Sequence, residues 1–65
     1  MGGALRALVI EDEEDLLDLL CGHLGRNGCE VSGYGTAEAG LAAARADPPD
    51  LIVVDVLLPD RDGRE

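Results

Sequence analysis

Apolar residues in this chain come as two unbroken runs, with weaker periodic stretches between them. Ala7-Leu8-Val9-Ile10 and Leu51-Ile52-Val53-Val54 carry no polar position. Runs of that length suit strands buried on both faces, as in a parallel sheet under helices. From Leu16 the period changes. Leu16, Leu20 and Leu24 fall four apart with Leu17 and Cys21 beside them, which predicts one broad apolar face on a helix of about four turns. Gly25, Asn27 and Gly28 end that helix, and Gly22 inside it costs up to ~1 kcal/mol relative to alanine. Cys29 to Tyr34 alternates as a short strand weakened by Gly33. Thr36 caps a second helix, Ala37 to about Ala46, feebly amphipathic through Ala37, Leu41 and Ala44. Asp47-Pro48-Pro49-Asp50 stops it. Strand, helix, strand, helix, strand predicts an α/β fold with a parallel sheet and right-handed crossovers.

Both unbroken runs end on acids. Glu11 and Asp12 follow Ile10, and Asp55 follows Val54. A carboxylate at the end of an apolar strand is costly unless it faces water, a crevice or a cation. Parallel neighbouring strands would gather these groups in one place. Two unit charges about 4 Å apart repel by roughly 4 kcal/mol at an effective dielectric near 20. Such a trio calls for a divalent cation, and Mg²⁺, a hard ion that keeps its waters, suits carboxylate ligands.

Charge narrows the partners. Fourteen acids against five basic residues, all of them arginine, give a net charge of −9 over 65 residues. That argues against direct nucleic-acid contact, which needs a basic surface, and suits a cation or a basic protein face. A chain of this size holds one domain at most, of marginal stability. Cys21 and Cys29 lack CxxC spacing and read as small apolar fillers in a reducing compartment. No apolar run reaches the ~20 residues of a membrane span, and Met1-Gly2-Gly3-Ala4 is no signal peptide, so a cytoplasmic location is expected.

Leu8-Val9-Ile10-Glu11-Asp12-Glu13, and Asp55-Val56-Leu57-Leu58-Pro59-Asp60-Arg61-Asp62-Gly63, together resemble the response regulator receiver domain of two-component systems. The first matches that family's opening strand and acidic pair. The second matches its phosphorylation loop, with proline four and glycine eight residues beyond the acid. The resemblance implies a flavodoxin-like, doubly wound sheet of five strands ordered 2-1-3-4-5. This chain would hold β1-α1-β2-α2-β3, residues 1–65 being the N-terminal half of a truncated receiver domain. It implies that Asp55 is the phosphoacceptor and that Asp12 ligates Mg²⁺ directly. Glu11 would act through a metal-bound water, and Leu57 would contribute its backbone carbonyl. It further implies a phosphohistidine donor on a sensor histidine kinase or phosphotransfer protein, and a signalling module that is not an enzyme. The family's later Ser or Thr, Lys and aromatic residues fall beyond Glu65, which puts phosphorylation of this segment alone in doubt.

Simpler readings stand beside these. Asp55 could be an ordinary strand-end acid bonded to nearby backbone. Glu13, Glu14, Asp15 and Asp18 read as a solvated, dipole-stabilising face, His23 as structural or solvated, and Tyr34 as packing. A nucleotide hydrolase with Leu51 to Asp55 as its Walker B strand is the alternative from another class. It needs a G-x-x-x-x-G-K-[ST] loop, and the chain has no lysine. A receiver-like module that only binds partners is the third reading.

Overall fold

The computed structural model describes residues 4–54. Asp55, Leu57, Pro59 and Gly63, singled out above, lie outside the described residues. The element order is β1 (Arg6–Ile10), α1 (Glu14–Arg26), β2 (Glu30–Tyr34), α2 (Ala37–Ala46) and β3 (Leu51–Val54). The strands form one parallel sheet in the order β2-β1-β3. The expected partial flavodoxin-like arrangement is therefore present.

Register and side-chain alternation assign the two faces. Val9 pairs with Gly33, and a Cβ built on Gly33 would meet Cys21 and Leu17 of α1. Leu8 and Ile10, pointing the other way, meet the same construction on Gly40 of α2. One helix thus covers each face of β1. That is why Ala7, Leu8, Val9 and Ile10 are all buried, Val9 completely. Burying side chains of this kind contributes about 1.5–3 kcal/mol each for the larger ones. β1 is the core of the described fold.

The second apolar run is far less covered than the first. Leu51, Ile52 and Val54 are 43, 44 and 48% exposed. Among the described residues β3 borders β1 alone, and neither helix packs on it. An unbroken apolar run signals what a strand can bury, and covering elements decide what it does bury.

The helix ends follow from local chemistry. Glu13 caps α1 by accepting the N–H of Leu16, and Thr36 caps α2 by accepting that of Ala39. Glu13 is thus more than the solvated acid expected. Asn27 closes α1, and Gly28 supplies the positive φ of 91° that the turn into β2 requires. The apolar face of α2 also needs correcting. Gly40 is its buried residue and Leu41 is 46% exposed, because small residues let α2 lie close on Ile10.

Candidate functional site

β1 and β3 leave the sheet side by side. Their last paired residues are Ile10 and Val54, so two parallel strands share one carboxyl edge. In open α/β sheets that edge is where ligands bind, at the point where the strand order reverses about the first strand. The order β2-β1-β3 places that reversal at β1.

Glu11 occupies this edge. It is only 5% exposed, the one buried charged residue among those described. Its main-chain N–H donates to the Tyr34 carbonyl at 3.0 Å, carrying the β1–β2 ladder one residue further. Its Oε2 accepts the N–H of Glu13 at 2.8 Å and so braces the turn into α1. Asp12, next in the turn, is exposed to solvent. The first two of the four expected metal-site residues therefore stand together at the strand edge; Asp55 and Leu57 fall outside the described residues. The hard oxygen donors present fit Mg²⁺.

The remaining candidates are placed elsewhere. His23 lies exposed in the last turn of α1. Tyr34 is half-buried at the end of β2 and lines a cleft of about 440 Å³ against α2, along with Arg6, Leu8, Ser32, Ala43 and Asp47. Neither Glu11 nor Asp12 lines that cleft. Both cysteines are free. Cys21 packs at Gly33, and Cys29 lies four residues before Gly33, about 13 Å along an extended chain. Burial, then the neighbouring Asp18 charge, pushes the Cys21 thiol above its ordinary value.

Asp50 was missed by the sequence reading. Its carboxylate accepts the N–H of Arg6 at 2.9 Å, while its own N–H donates to the Arg6 carbonyl at 2.8 Å. The Arg6 guanidinium pairs with Asp47. The available signal was an acid placed between the Pro-Pro stop and the apolar run.

These features define a doubly wound α/β module with an acidic corner at its switch point. The chain belongs to the response regulator receiver domain family, whose model matches residues 7–65. It is 43% identical over 60 residues to the alkaline phosphatase synthesis transcriptional regulatory protein PhoP of Bacillus subtilis, covering 92% of this chain and 25% of that protein. It is 36% identical over 62 residues to the probable transcriptional regulatory protein TcrX of Mycobacterium tuberculosis, covering 95% of this chain and 26% of the relative. The KDP operon transcriptional regulatory protein KdpE of Escherichia coli is 40% identical over 58 residues, covering 89% and 26%. The chain thus spans about a quarter of the length of the curated relatives it matches.

The family corrects one expectation. Receiver domains are phosphoacceptors, reactants in phosphoryl-group transfer, so the plain statement that the chain is not an enzyme does not stand as its description. The hydrolase alternative has no footing in the fold, because acids and not phosphate-cradling glycines form the turn after β1. No helix among the described residues is long and apolar enough to cross a membrane.

Proposed function

We propose that this segment is the phosphoacceptor half of a receiver, with Asp55 taking a phosphoryl group from the phosphohistidine of a sensor kinase or phosphotransfer protein. A carboxylate oxygen of Asp55 forms the new P–O bond as the P–N bond to histidine breaks. The reading treats residues 1–65 as the N-terminal half of the domain. The observation that carries it is the pairing of Ile10 with Val54 at the carboxyl edge of two neighbouring parallel strands; Glu11 follows the first, and Asp55 comes next in the sequence after the second.

Glu11, Asp12, Asp55 and the Leu57 carbonyl would hold Mg²⁺, which offsets the charge of both reacting anions. Asp12 would be the direct ligand, and Glu11 would act through bound water. Burial of Glu11 beneath the turn holds its carboxylate in place before any ligand arrives. The product adds about two negative charges and new acceptor oxygens, enough to bias a surface that a transcriptional regulator could read.

The experiment is acyl-phosphate labelling of the full chain from a small phosphodonor with Mg²⁺. Asp55→Ala abolishes the label and Asp12→Ala weakens Mg²⁺ binding. A label that persists on Asp55→Ala at the wild-type level moves the acceptor elsewhere.

A further inference from the structure

The register between β1 and β3 decides which residues meet at the acidic corner, and the apolar pattern specifies it weakly. Where one face of a strand is polar, slipping by one residue exposes the whole apolar set. Here Ala7 to Ile10 and Leu51 to Val54 are apolar at every position, so no such penalty arises within the runs. Drawing β3 back would carry Asp55 in among apolar neighbours, which its charge opposes. Sliding β3 forward by one residue, about 3.3 Å, keeps the apolar run against apolar neighbours and brings position 50 opposite Ala7, so what opposes it is the residue at position 50. Something outside the apolar run must block the forward slip.

Asp50 is placed to do so. It holds both polar main-chain groups of Arg6, one through its carboxylate and one through its own N–H. The Ala7–Leu51 pair follows directly. We propose that Asp50 is a positioning residue whose grip on the Arg6 main chain fixes the β1–β3 register and with it the distance of Asp55 from Glu11. The inference rests on the phosphoacceptor reading for its consequence, while the register itself is read independently. The Arg6–Asp47 ion pair plays no part in the register, because Asp50 engages the main chain of Arg6 and not its guanidinium.

The test compares Asp50→Ala, Asp50→Asn and Arg6→Ala in the full chain. Cross-strand main-chain contacts by NMR report register, a titration reports Mg²⁺ affinity, and labelling reports transfer. Asp50→Ala should show a second set of contacts with residue 50 opposite Ala7. Its labelling rate should fall by up to about 100-fold, the cost of misplacing reacting groups by about an ångström, and its Mg²⁺ affinity should fall with it. Asp50→Asn keeps an acceptor oxygen and restores all three readouts. Arg6→Ala keeps its main chain and leaves all three at wild-type values. An Asp50→Ala protein with only the Val9–Val53 register, or with a shifted register but unchanged Mg²⁺ affinity, overturns the proposal. Should Asp50→Ala not fold, Asp50→Asn decides alone: wild-type register and affinity support the role, and loss of either removes it. A label surviving Asp55→Ala defeats the phosphoacceptor reading and leaves the register result intact.

Discussion

Gly40 of α2 lies against Ile10 of β1, so close that a Cβ built on it would stand 2.5 Å from both Cγ1 and Cδ1 of Ile10. No ordinary carbon contact is that short, so the helix can rest on the strand only because residue 40 lacks a side chain. Gly40→Ala should destabilise the fold by about 1–3 kcal/mol through overpacking, reduced by the ~1 kcal/mol that alanine contributes inside a helix. Ile10→Val removes Cδ1 and should recover part of the loss in the double variant. Denaturant midpoints of the two single variants and the double variant measure this. A Gly40→Ala protein more stable than wild type would show that α2 shifts freely and that the contact sets nothing.

The opposite face has a milder version of the same constraint. At Gly33 the added Cβ would lie 2.8 Å from the Cys21 sulfur and 3.0 Å from Leu17 Cδ1, both ends of side chains that can turn aside. Gly33→Ala should therefore cost less than Gly40→Ala, on the order of 1 kcal/mol. Cys21→Ala opens the space. In a double-mutant cycle the pair should couple favourably, with the combined loss smaller than the sum. Strict additivity would mean that the sulfur does not limit α1 at this point.

Element order, both helix ends and the parallel sheet were legible because each rests on local pattern: leucines at helical spacing, Thr36 before an alanine run, Gly28 after α1. The place of Glu11 at the strand edge was legible for a related reason, since it follows an apolar run directly. The exposure of β3 is not written in its apolar run, because covering a strand depends on what packs across it. The α2 face was misread because Leu41 outweighs Gly40 on any hydrophobic scale, yet glycine permits the close approach. Glu13 and Asp50 were overlooked as bonding residues. Their partners are main-chain N–H groups, which leave no mark in a side-chain pattern.

Cys21 gives the fold a dependence on alkaline pH. Its thiol is held above the ordinary value of 9.0, first by burial and then by Asp18, so the folded state keeps the proton longer than the unfolded chain. Above that value the unfolded state binds fewer protons than the native one, and stability falls as pH rises until the folded thiol also ionises. Below it the contribution is fully present. Thermal melts from pH 8 to 10 should show a decline that Cys21→Ala reduces. Alkylation of Cys21 near pH 8.5 should also run slower than that of an unstructured thiol. Equal alkylation rates would place the sulfur in water.

Glu11 combines a structural and an electrostatic task that a single substitution separates. Its Oε2 accepts the Glu13 N–H, and its burial places a negative charge at the strand edge. Glu11→Gln keeps an oxygen for the Glu13 N–H and removes the charge. Without Mg²⁺ the Glu11→Gln protein should melt above Glu11→Ala, because it keeps the turn braced. With Mg²⁺ the affinity should fall about 10- to 100-fold, the usual loss when a group behind the direct ligands is altered. Glu11→Ala, by contrast, should lose both the brace and the affinity and melt earlier even without Mg²⁺. Isothermal titration and paired melts with and without Mg²⁺ separate the two tasks. A Glu11→Gln protein that binds Mg²⁺ as wild type does would leave Glu11 only the turn to hold, and Asp12 would then have to carry the β1 share of the cation.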